Sequence, residues 1–80
     1  MQKRSLVKLF TPGTQNHHIV KLILDCEYIY NYQMPKIGIL SYTRRISEIR
    51  KKLNLVGFNI VATRIENTGT YVYRIEKVKI

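Results

Sequence analysis

Between residues 41 and 75 the hydrophobic period changes once, from that of a helix to that of a strand, and the change falls at a glycine. Tyr42, Ile46, Ile49 and Leu53 recur at three- and four-residue spacing. At 100° per residue they share one narrow face, with Arg44, Ser47, Glu48 and Lys51 on the opposite side. This predicts a helix over about 41–53 with Ser41 as its N-cap, because a serine hydroxyl can accept from an orphan backbone N–H. Gly57 ends the pattern, and residues 58–65 alternate, with Val61, Thr63 and Ile65 on one face and Ile60 and Ala62 on the other. Glu66-Asn67-Thr68-Gly69 then predicts a hairpin turn in which Gly69 takes the left-handed conformation. The chain returns with Tyr71, Tyr73 and Ile75 on one face and Val72, Arg74 and Glu76 on the other.

Upstream, Ile19, Leu22, Ile23, Cys26 and Ile29 form a second helical stripe from about Asn16, with Thr14 or Asn16 able to cap it. Residues 28–35 are tyrosine-rich and end in Pro35, which disfavours the helical region for Met34. They are expected to be the end of the first helix plus a turn. Residues 1–13 read as an amino-terminal arm or short strand, in which Leu6, Val7, Leu9 and Phe10 surround Lys8 before the turn Thr11-Pro12-Gly13. The tail from Lys77 to Ile80 is expected to fray. The expected core is Ile19, Leu22, Ile23, Cys26, Ile39, Tyr42, Ile46, Ile49, Leu53, Phe58 and Ile60.

Eighty residues accommodate one domain spanning 1–80. Uncharged runs reach only about a dozen residues, short of the roughly 20 apolar residues that cross a bilayer, so no membrane partner is expected. Lys3, Arg4 and Lys8 are not followed by the apolar stretch of a secretory signal. The single cysteine, Cys26, allows no intrachain disulfide, which fits a reducing cytoplasm, the host cytosol if the chain is viral.

No set of residues suggests catalysis, and an enzyme is not expected. His17 and His18 are adjacent and would point about 100° apart on a helix, unlike an i, i+4 metal pair. Cys26 lies on the apolar stripe, where an inert buried thiol is expected. The five acids form no recognisable pair, and the glycines form no phosphate-binding loop. No catalytic group, cofactor or metal is expected.

The charge balance points elsewhere. Fourteen Lys and Arg against five Asp and Glu give a net charge of +9, and six of those cations fall in residues 36–52 beside the single acid Glu48. Such a surface suits nucleic acid, an anionic membrane or an acidic protein. A basic helix followed by a hairpin favours double-stranded DNA, since a helix fits the major groove and a hairpin can reach flanking phosphates. Arg44 is placed for bidentate contact with a guanine, while Thr43, Ser47 and Lys51 share its side of the helix. Arg45, Arg50 and Lys52 lie toward the flanks, where phosphate contact is the natural role. Lys36 and Ser41, at the approach to the helix, complete that set. Each cation could equally serve as a solvated surface charge.

The run Gly38-Ile39-Leu40-Ser41-Tyr42-Thr43-Arg44-Arg45-Ile46-Ser47-Glu48-Ile49-Arg50-Lys51-Lys52, then Gly57-Phe58-Asn59-Ile60 and Tyr73-Arg74-Ile75, resembles the small winged helix-turn-helix domains of phages and prophages. The match covers about residues 38–76. It implies an α+β winged helix-turn-helix fold, with two or three helices followed by a carboxy-terminal hairpin wing. It also implies a transcriptional regulator or recombination accessory factor with the helix at 41–53 in the major groove. Residues 59–75 would form the wing, bringing Arg64, Asn67, Thr68 and Arg74 to DNA.

The chain departs from that pattern in lacking a clear second helix before the recognition helix and in adding residues 53–56 before Gly57. These differences motivate an alternative, a small phage-type inhibitor that uses the same scaffold to bind a host or defence protein complex, for example of CRISPR type. Tyr28, Tyr30 and Tyr32 alternate, and could stack single-stranded bases or pack a small core. A single module buries little DNA surface, so a homodimer is expected, with the arm at residues 6–10 and the hairpin edge as pairing surfaces.

Overall fold

The computed structural model describes residues 2–78. A 3-10 helix, Lys3–Leu9, leads into α1 (Gln15–Cys26), β1 (Ile29–Tyr30), α2 (Gln33–Lys36), α3 (Tyr42–Asn54), β2 (Phe58–Arg64) and β3 (Tyr71–Lys77). The strands form one antiparallel sheet in the order β1-β3-β2. Among the described residues no helix is long and apolar enough to cross a membrane.

The amino-terminal segment is part of the core. Leu6 is fully buried and Phe10 nearly so, which removes these side chains as the pairing surface expected from the sequence. The segment packs along α1, and this rotates the buried face of α1 away from the expected stripe. Val20 is fully buried beside Ile19 and Ile23, Leu22 is half-buried, and Leu24 packs on the core from the side the segment covers. Cys26 is exposed rather than buried, because it is the last residue of α1 and the chain turns at Glu27 (φ 70°) before the core is reached again. Thr14 caps α1 as expected, its hydroxyl accepting from the His17 N–H at 3.2 Å.

Residues 28–35 hold two elements where the sequence suggested a helix end and a turn. Ile29 pairs with Tyr73 and Tyr30 with Val72, forming an edge strand too short to show a period. The single turn α2 includes both Met34, which is buried, and Pro35, contrary to the expectation that Pro35 excludes Met34 from helix. Proline is tolerated because the first turn of a helix leaves its N–H groups without intrahelical partners. Gly38 (φ 84°) closes α2, with the Ile39 N–H donating to the Met34 carbonyl at 2.9 Å and the Gly38 N–H to the Pro35 carbonyl at 3.1 Å. This is the paired bonding of a Schellman turn.

Ser41 does not act as the expected N-cap. Its backbone is left-handed (φ 55°, ψ 43°) and its side chain makes no capping bond, so the hydroxyl cannot reach the first turn as it would from an extended residue. In the hairpin, Asn67 (φ 61°) rather than Gly69 takes the left-handed position, an alternative that asparagine tolerates well. The β2–β3 register runs from Phe58↔Lys77 to Arg64↔Tyr71 and places Phe58, Ile60, Tyr73 and Ile75 on the buried face. Lys77 belongs to β3, and the Val78 N–H donates to the Gly57 carbonyl at 2.8 Å. The rest of the expected frayed tail, Lys79 and Ile80, lies outside the described residues. Tyr42, expected in the core, is half-buried at its edge.

Two stability measurements check this account. Leu6→Ala is expected to cost about 2–5 kcal/mol in denaturant unfolding, as for a core leucine, whereas truncating a loose arm costs about 0.5 kcal/mol or less. Ser41→Ala is expected to leave stability nearly unchanged, whereas loss of a working serine cap costs about 1 kcal/mol.

Candidate nucleic-acid interface

Helix α3 is buried along Ile46, Ile49 and Leu53 and is fixed by polar contacts on both flanks of that stripe. On the α1 side, Arg45 Nε donates to Gln15 Oε1 at 3.2 Å, and Arg45 Nη1 lies 3.1 Å from Glu48 Oε1. Asn16 Nδ2 also donates to that carboxylate at 3.4 Å. The Arg45 and Asn16 bonds hold the Glu48 carboxyl below the usual carboxylate range. Any stabilisation from this shift is present above the ordinary glutamate pKa and is lost as pH falls through the lowered value. Lys52, on the same side, donates from Nζ to the Leu9 carbonyl at 3.3 Å and lies 5.3 Å from the centre of the Phe10 ring. On the sheet side, Arg50 Nε donates to the Ile60 carbonyl at 3.0 Å.

These contacts leave Thr43, Arg44, Ser47 and Lys51 facing outward, all exposed. Among the described residues the side chains of Arg44 and Lys51 form no hydrogen bond or ion pair. Between α3 and the inner face of the hairpin lies a groove of about 390 Å³, lined by Tyr42, Thr43, Ser47 and Arg50 from the helix and by Tyr71 and Tyr73 from β3. Tyr42 and Tyr73 meet edge to face at 6.4 Å. Burial raises the Tyr73 phenol above its ordinary pKa, aided by the neighbouring Tyr42. Arg50 uses one of its donors on Ile60, and its other N–H groups are available at the groove.

The hairpin turn is held by its own side chains. Arg64 Nε donates to the Thr68 carbonyl at 3.1 Å, and the Thr68 hydroxyl donates to the Ile65 carbonyl at 2.8 Å while accepting from the Thr70 N–H at 3.1 Å. Arg64 and Thr68 therefore shape the turn, and Asn67 stands exposed at its tip.

Lys36 and Arg74 are not gathered with α3. Arg74 alternates with the buried Tyr73 and Ile75, so it projects from the outer face of the sheet, where its guanidinium lies 5.6 Å from the Tyr28 ring centre. The Lys36 ammonium lies 5.3 Å from the Tyr32 ring centre. Ser41 is exposed at the start of α3, with its carbonyl accepting from the Arg44 and Arg45 N–H groups.

Sequence reasoning missed Asn31, which ties the end of β1 to the turn end of the hairpin. Its N–H donates to the Tyr71 carbonyl at 2.9 Å, its Oδ1 accepts from the Tyr71 N–H at 3.0 Å, and its Nδ2 donates to the Gly69 carbonyl at 3.2 Å. The only signal in the sequence is an asparagine beside a strand too short to recognise. Comparison with family models, curated proteins and solved structures finds no match to this chain.

Asn31→Ala removes two side-chain bonds at the turn end of the hairpin. It is expected to cost about 1–2 kcal/mol in all, with faster amide exchange concentrated at Tyr71 and the turn. Unchanged exchange at Tyr71 would contradict the assigned role of Asn31.

Proposed function

We propose that the chain is a winged helix-turn-helix protein that binds double-stranded DNA, with α3 in the major groove and the β2–β3 hairpin as the wing. The element order and the β1-β3-β2 sheet are compatible with that fold. The observation that carries the reading is the division of labour along α3. Its flanking cations are tied to the protein, while Arg44 and Lys51 stand free on the outward face between Thr43 and Ser47. Arg44 then reads a guanine edge, and Lys51, with the open donors of Arg50, contacts phosphate. Asn67 at the turn tip meets the flanking backbone. The phage or mobile-element setting and the role of regulator or recombination factor rest on the sequence resemblance, and the cytoplasm is the compartment that goes with them.

A module of this size covers about 600–1,000 Å² of protein surface on DNA, too little for most genomic sites, so a homodimer on DNA belongs to the proposal. With Leu6 and Phe10 buried, the pairing surface falls to the outer edge of β2. The bonds Ile65 N–H to Thr70 and Val78 N–H to Gly57 set the ladder so that the backbone groups of Ala62 and Arg64 point away from β3.

One observation favours a protein partner. Ile37 and Leu40 are 43% and 70% exposed in the connection between α2 and α3. Apolar side chains at that position suit an inhibitor of a host or defence complex that handles nucleic acid.

With Lys51 and Arg50 of each protomer on phosphate, a homodimer neutralises about four phosphates, and log K should fall against log salt with a slope of roughly −3.5. Failure to bind duplex DNA at low salt would promote the inhibitor reading. Arg44→Ala is expected to cost about 1–3 kcal/mol on a preferred site and much less on random sequence, without loss of stability. Equal losses on both would make Arg44 a phosphate ligand.

A further inference from the structure

The outer face of the sheet, away from α3, carries a tyrosine ladder. Tyr28 meets Tyr30 edge to face at 5.5 Å, and Tyr30 stacks on Tyr32 at 5.2 Å with planes 11° apart. Tyr30 lies across from Val72, on the side of β3 that also presents Arg74. Each end of the ladder is covered by a cation, Arg74 over Tyr28 and Lys36 over Tyr32. Packing alone does not account for the arrangement, since Tyr28 and Tyr32 remain 39% and 49% exposed.

We propose that this face is a binding site for single-stranded nucleic acid, in which a base extends the Tyr30–Tyr32 stack on the ring face that Lys36 now covers. The proposal is independent of duplex binding by α3.

Three features fit that occupant. Every base has a flat face that can stack on tyrosine, and stacking needs no particular sequence. The mutual contacts of the rings hold them in place beforehand, which lowers the ordering cost of binding. The cations at the two ends match the charge of a phosphate backbone, and a lysine displaced from an aromatic face remains within reach of the phosphate next to the incoming base. The cleft beyond Tyr28 sets Glu27 and Glu76 against Lys3 and Arg74 and so has no net charge from its lining, whereas Lys36 stands over Tyr32 at the other end of the ladder. An acidic peptide would satisfy the cations but would leave the exposed ring faces without a stacking partner.

The chain has six tyrosines and no tryptophan, so its intrinsic emission reports on tyrosine stacking. The test titrates the full chain with DNA and RNA oligonucleotides of about ten nucleotides, within the usual range of single-strand sites. Polyglutamate serves as a polyanion without rings. The expected result is saturable quenching by either oligonucleotide and little by polyglutamate. Tyr32→Ala should weaken oligonucleotide binding by about 5- to 100-fold, and Tyr32→Phe should restore it. Lys36→Ala and Arg74→Ala should each reduce the salt slope by about 0.7. Circular dichroism of each variant separates loss of the site from loss of the fold, and Tyr32→Phe gives a reading even where Tyr32→Ala unfolds. The proposal is overturned if neither oligonucleotide binds at low salt, or if polyglutamate competes as well as the oligonucleotides. It is also overturned if Arg44→Ala abolishes single-strand binding while folded Tyr32→Ala retains it, because the site would then lie on α3.

Discussion

The orientation of α3 depends on the burial of Ile46, Ile49 and Leu53 between α1 and the sheet. Burial of this stripe drives the helix against the core, but apolar contact has no direction and would tolerate some rolling. The polar flanks remove that freedom. Arg45 grips Gln15 and Glu48 on one side, while Arg50 grips the Ile60 carbonyl on the other. The same two contacts determine which cations remain outside, so the anchoring of the helix and the composition of its outward face have one cause.

The amino-terminal segment supports this arrangement from behind. Leu6 and Phe10 complete the core, and the Leu9 carbonyl receives Lys52 from α3. A chain of 80 residues buries a modest share of its surface, so Leu6 and Phe10 add apolar burial that a small core needs. On the other side of the molecule Asn31 holds the hairpin to β1, and the hairpin in turn forms one wall of the groove beside α3.

Where hydrophobic period was long enough to read, the sequence was a good guide. Residues 42–54 and the paired runs around 58–64 and 71–77 each span several repeats; the buried faces of the first two were legible, while for the third only the alternation was, and the burial of Tyr73 and Ile75 was not foreseen. Short elements were not, since β1 has two residues and α2 four, and neither completes a period. Cys26 and Ser41 were misjudged for a related reason. A residue at a helix boundary is governed by the backbone beyond it, which periodicity does not report. For the candidate interface, the sequence identified the cations but could not separate those held by the protein from those left outside. That distinction depends on tertiary partners, Gln15 for Arg45 and Leu9 for Lys52 at 30 and 43 residues' separation and Ile60 for Arg50 at 10. The separation of Lys36 and Arg74 from α3 likewise appears only once the sheet is formed.

The central claim is that the outward face of α3 and the tip of the hairpin meet duplex DNA together. A titration of the isotope-labelled chain with duplex DNA, followed by backbone amide shifts, tests it most directly. The account predicts that the largest shifts fall at Thr43, Arg44, Ser47 and Lys51 and around Asn67, with Tyr28 and Tyr32 little changed. Shifts confined to Ile37, Leu40 and their neighbours, or no shifts at low salt, would contradict it.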